Sequence, residues 1–126
     1  MSAINPGPGV DLLALAQAID NTGFRGVRVV NPATDAILAD TGDLPAGLYL
    51  VSVQAGASAP LAARLQRRSA DDAVLTNISF IRLAADSPLS YRTLVALLVN
   101  EELEVVAHNA LTGDVLLGLQ WARLKT

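Results

Sequence analysis

Cysteine is absent from the 126-residue chain, which excludes disulfides, thiolate metal sites and cysteine nucleophiles. Aromatic residues are scarce: one Trp, two Tyr and two Phe, 4% of the total, so Leu, Val and Ala must fill the core. Histidine occurs once, as His108, and one histidine cannot form the multi-histidine zinc sites. Positive charge is in deficit. Nine Lys and Arg against twelve Asp and Glu leave a net charge of −3 and a pI of about 4.9, without the basic footprint of a nucleic-acid binder. Even the cluster of Arg64, Arg67 and Arg68 is followed at once by Asp71 and Asp72. No apolar run approaches the ~20 residues of a membrane-spanning helix. The opening MSAINPGPGVDLL lacks a basic region followed by an apolar one, so no secretory signal is expected and synthesis in a cytoplasm is. Neither nucleic acid nor membrane is therefore expected as a partner.

What is present is aliphatic. The hydrophobic fraction is 52% and the charged fraction only 17%. The length suits one domain. The apolar excess has two readings, a well-filled monomer core or apolar surface buried between subunits, and the second is favoured.

Residues 1–9 hold Pro6, Gly7, Pro8 and Gly9, which suit an arm rather than a core element. In VDLLALAQAID the residues Leu12, Leu15, Ala16 and Ile19 fall at helical spacing, so a short helix competes with an extended arm over residues 1–23. From Phe24 onward the pattern is one of strands. FRGVRVV, LYLVSVQA, LAARLQRR, LEVVAH and VLLGLQWARL alternate, and VLTNISFIRLA is rich in β-branched residues. YRTLVALLV is apolar at both parities, as a strand covered on both faces would be. Turns rich in Asn, Asp, Gly and Pro separate them. The expectation is an all-β fold, a single antiparallel β-sandwich or jelly roll of about eight strands over residues 24–126, with the first and last strands adjacent. Tyr49, Val51 and Val53 should share one face of their strand, and Val115, Leu117, Leu119 and Trp121 one face of the last. Gly118 lies among residues of the opposite parity, where something should pack closely.

Chemistry is sparse. His108 ends a strand, and no G-x-S-x-G elbow accompanies it. Asp40-Thr41-Gly42 resembles the active-site triplet of aspartic proteases, whose viral members are homodimers sharing a proton between two such carboxylates. Here Asp43 follows the triplet and Ala39 precedes it, where that family places a small residue and large apolar ones. A β-turn asks for the same three residues. Asp71, Asp72, Glu101, Glu102 and Glu104 sit in or near turns, where carboxylates are commonly solvated. No catalytic residue, metal or cofactor is expected.

Two stretches carry a resemblance: NPATDAILADTGDLPAGLYLVSVQAG and YRTLVALLVNEELEVVAHNALTGDVLLGLQWARL. Together they resemble the small jelly-roll capsid decoration (cement) proteins of tailed bacteriophages, over residues 24–124. The resemblance implies a non-catalytic virion protein on the capsid exterior, often trimeric. Such a protein bridges neighbouring subunits of the major capsid protein. On this reading Val10, Leu12, Leu13, Leu15 and Ile19 are the candidate partner contacts, though a local cap on the same sandwich would use them too. A fibre, receptor-binding or carbohydrate-binding jelly roll is the alternative. Sugar binding favours exposed aromatics, and the aromatics here mostly occupy core-like positions.

Overall fold

The computed structural model describes residues 19–69, 71 and 75–124. Eight strands account for most of them: β1 (Ile19–Val30), β2 (Ile37–Asp40), β3 (Gly47–Ala57), β4 (Leu61–Arg68), β5 (Leu75–Leu83), β6 (Leu89–Leu97), β7 (Glu102–Ala107) and β8 (Asp114–Leu124). They form two four-stranded antiparallel sheets, ordered β1-β8-β3-β6 and β2-β7-β4-β5. No helix occurs among the described residues. The fold is the all-β jelly-roll sandwich that the alternation and turn spacing predict, with β1 and β8 adjacent at one side of the first sheet.

The core lies between the sheets and is aliphatic. Tyr49, Val51 and Val53 of β3 and Val115, Leu117, Leu119 and Trp121 of β8 all point into it. Leu61, Ala63, Leu65, Leu103 and Val105 meet them from the second sheet. The Tyr49 hydroxyl donates to the Pro45 carbonyl at 2.7 Å, so its one polar atom is satisfied at the core boundary. The turns are held by residues that tolerate positive φ: Asn31, Asp35, Asp86 and Asn100 all adopt it.

Three sequence expectations change. The first strand begins at Ile19, so the sandwich reaches back into the segment read as an arm, and the backbone of Ile19 lies opposite Leu124. It forms ahead of Phe24 because β8 runs to Leu124 and offers a ladder to pair with, despite a register irregularity between Asp20 and Gly23. Second, β6 is not covered on both faces. It is an edge strand, and Leu94 is 56% exposed. The doubly covered strand is β7, interior to its sheet, where Leu103, Glu104, Val105, Val106 and Ala107 are all buried. Third, two of the five aromatics are on the surface: Phe24 and Phe80 are 64% and 54% exposed.

Candidate functional site

Asp40, His108 and the carboxylates of Glu101, Glu102 and Glu104 fall on or beside the β2-β7-β4-β5 sheet, and the fold spends them on structure; Asp72 lies outside the described residues. Asp40 Oδ1 accepts the Gly42 amide at 3.2 Å, and Gly42 takes a φ of 68°. The Thr41 hydroxyl donates to the Gly42 carbonyl and accepts the Leu103 amide, while the Thr41 amide donates to the Leu103 carbonyl. The triplet is thus a turn pinned to β7, as its composition allows.

His108 lies at the other end of β7. Asp40 pairs with Glu104, four residues from His108, or about 13 Å along a strand. Arg64 approaches His108 Nδ1 at 2.9 Å and Asp35 Oδ1 at 2.9 Å, and the Phe80 ring meets the imidazole edge-on at 5.3 Å. A guanidinium has no lone pair to offer, so in this contact Arg64 donates and Nδ1 accepts. The fold does not bring His108 and Asp40 together.

A carboxylate network occupies the near end of the same sheet. Glu104, 1% exposed, accepts from Gln66 Nε2 and from Arg68 Nη2 at 2.9 Å. Arg68 also reaches Glu102 at 3.5 Å. Glu101 Oε1 accepts the Leu98 amide at 2.6 Å and closes the β6–β7 turn. Burial, then the negative charges of Asp40, Glu104 and Asp43, push the Glu102 carboxyl above its ordinary value, against the pull of Arg68. A raised carboxyl pKa means the folded protein holds that proton more tightly than the unfolded chain, so ionised Glu102 costs stability at neutral pH. Glu102→Gln should therefore raise the thermal midpoint modestly at pH 7. The gain should shrink as pH falls through the raised pKa towards 4.5, where both states become protonated. Melting curves of the two proteins at pH 7 and pH 4 check this, and an equal gain at both pH values would contradict it.

The outer face of the β1-β8-β3-β6 sheet has a different character. At the end where β1 begins, Leu50 stands between Ala122 and Leu94, and Leu48 between Leu124 and Ala96. Leu94, Leu98 and Val99 are 56%, 70% and 64% exposed there. Residues 1–18 join the sheet at this same end, through Ile19. Of the candidate partner contacts, Val10, Leu12, Leu13 and Leu15 lie outside the described residues, and Ile19 is the first residue of β1. The next row across the sheet is mixed, with Phe24, Gln120, Ser52 and Arg92 side by side on β1, β8, β3 and β6. Beyond it lies a trough of about 600 Å³, floored in part by Gly26, Gly56 and Gly118. Sequence reasoning flagged Gly118 alone. What packs there is the Phe24 ring, within 3.2–3.4 Å of where a Gly118 Cβ would stand and 3.1–3.3 Å of a Gly26 Cβ.

No protein-family model matches the chain, and no curated protein matches it in sequence. Twenty-nine solved chains match in structure, a breadth that speaks for a common architecture. The globular domain of the zebrafish complement 1qA protein superposes with a TM-score of 0.56 at 11% identity, over 79% of this chain and 92% of that one. A Clostridium thermocellum xylanase 10B structure, CBM22-1 and GH10 modules complexed with xylohexaose, gives 0.61 at 16% identity, over 82% of this chain but 25% of that one. A pentameric capsid protein from metagenomic phage sequences is also among the neighbours, at 0.45 and 17% identity, over 97% and 80%. That last score is too low to support an argument, and at such identities the others speak for the fold alone. What the chain shares with these domains is the jelly-roll β-sandwich.

Proposed function

We propose that this chain is a non-catalytic structural protein of a bacteriophage virion, attached to the capsid exterior, where it bridges neighbouring capsid subunits and associates with copies of itself as a trimer. The observation that carries this reading is the apolar end of the first sheet. Leu50, Leu94, Leu98 and Val99 stand exposed where residues 1–18, with Val10, Leu12, Leu13 and Leu15, join the strand. Contiguous exposed apolar surface of this kind marks attachment to another protein. The polar groups that hint at chemistry support the same reading, since Asp40 is engaged in a turn and His108 with Arg64. A net charge of −3 keeps such a protein off packaged nucleic acid.

Two measurements on the intact chain test this. Sedimentation should give a particle near three times 13.1 kDa. Incubation with capsids lacking any decoration should give saturable co-sedimentation and raise the temperature at which those capsids open. Monomers that leave capsids unbound at micromolar concentration would overturn the reading.

A further inference from the structure

The trough on the outer face of the β1-β8-β3-β6 sheet has no role in the attachment just described. It lies beyond the apolar end: Gly118 is six residues from Leu124 along β8, roughly 20 Å at strand rise. We infer that this trough is a binding site for a neutral saccharide, with the Phe24 ring as its stacking platform and Gly56 as its open floor.

The glycines make the first argument. A glycine inside a strand weakens it, and one recurrent reason for its presence is close approach by a ligand or another chain. Gly26 and Gly118 make room for the Phe24 ring, whose Cε1, Cζ and Cε2 atoms lie where their side chains would begin. The ring therefore rests on the sheet while Phe24 as a whole stays 64% exposed. Gly56 is different. A Cβ built there meets nothing within 4 Å, and its φ lies outside the left-handed region, so no contact within the chain requires glycine. What the missing side chain provides is depth between Leu116 and the Pro88–Ser90 wall.

The lining makes the second. None of the residues around the trough is charged. Gln54 and Ser90 face each other across β3 and β6, and Gln120 and Ser52 stand in the neighbouring row. Among the described residues none of these four side chains has a hydrogen-bond partner within the chain. Amides and hydroxyls both donate and accept, and so do sugar hydroxyls. A pyranose with equatorial hydroxyls presents a flat C–H face to an aromatic ring and a rim of hydroxyls to such groups. A volume of about 600 Å³ falls in the usual range for small-ligand clefts. The nearest cations, Arg92 in the row of Ser52 and Gln120 and Arg28 opposite Leu116 and paired with Asp114, stand outside this lining. Saccharide binding here is independent of capsid attachment, and the two can fail separately.

The test uses the full chain and cellohexaose as the probe, followed by amide chemical shifts. The wild type should bind weakly, with shifts at Gly26, Gln54, Gly56 and Gly118. Gly56→Val fills the floor without touching Phe24. It should weaken binding about tenfold or more, equivalent to ~1.4 kcal/mol, while the thermal midpoint holds or rises. Phe24→Ala should weaken it likewise, and His108→Ala, on the other sheet, should leave it unchanged. Absence of binding by the wild type, or wild-type affinity in a folded Gly56→Val or Phe24→Ala variant, overturns the proposal. So do shifts at these amides that follow protein concentration without sugar, since a second copy would then occupy the trough.

Discussion

Deleting residues 1–18 is expected to weaken capsid attachment by about three orders of magnitude or more while leaving the thermal midpoint of the free protein nearly unchanged. The cut preserves the sandwich because β1 begins at Ile19, and its ladder with β8 runs from Ile19 opposite Leu124 to Val30 opposite Asp114. The binding loss follows from the side chains removed. Val10, Leu12, Leu13 and Leu15 each contribute roughly 1.5–3 kcal/mol when buried, before the cost of ordering the segment. A net loss of ~4 kcal/mol is a thousandfold change in affinity. Quantitative co-sedimentation with capsids reads the first effect and calorimetry the second. Should the deletion unfold the free protein, the segment belongs to the sandwich's own packing, and the partner surface moves to the turns at residues 41–46 and 108–113.

Glu104→Ala is expected to cost about 2–4 kcal/mol, because it takes the acceptor from the buried Gln66 amide and the closest carboxylate from the half-buried Arg68, which keeps Glu102 at 3.5 Å. Glu104 accepts from both Arg68 and Gln66, and its own side chain is almost wholly buried. For a domain of this size that corresponds to a fall of roughly 10–20 °C in thermal midpoint. A variant combining Glu104→Leu, Arg68→Met and Gln66→Leu removes the cluster whole and should recover most of the loss, since apolar replacement of a complete buried polar group is often neutral. Urea titrations of the three proteins decide it. A loss under 1 kcal/mol for Glu104→Ala would mean that water reaches Arg68 and Gln66 and that the pair is not buried in solution.

That pair also marks the limit of what the residues alone reveal. Alternation located the strands because a half-buried strand repeats with a period of two, and Asn, Asp, Gly and Pro located the turns because they accept the backbone angles a turn demands. Which residues of β3 and of β8 share a face was legible for the same reason, and the sandwich shows which of those faces is inward. Glu104 and Gln66 were not: alternation assigns a polar residue to the solvent side, and only the pairing of β4 with β7 places the two side by side. The exchange of character between β6 and β7 has a related cause. Apolarity at both parities says that a strand is covered on both faces, but not whether its own chain or another molecule covers it. In β7 the cover is internal, whereas β6 leaves Leu94 outward at the sheet edge. The trough was legible only at Gly118, which interrupts a strand pattern; Gly56 reads as part of the turn after LYLVSVQA, although β3 runs on to Ala57. The convergence of Gly26, Gly56 and Gly118 depends on a register that sequence spacing does not supply.

The pairing of Ile19 with Leu124 has a consequence for how this scaffold can be rewired. The outermost residues of the first and last strands face each other across one antiparallel ladder, about 5 Å apart. A two- or three-residue hairpin loop can join them in a circularly permuted chain, with new termini opened in the exposed stretch at residues 84–88. Every ladder of both sheets survives that cut, because thread order is not what holds the sandwich together. A payload fused after Leu124 lies at the Leu48–Leu50 end of the first sheet. One grafted into the turns at residues 31–36 or 58–60 is carried at the opposite pole of that sheet.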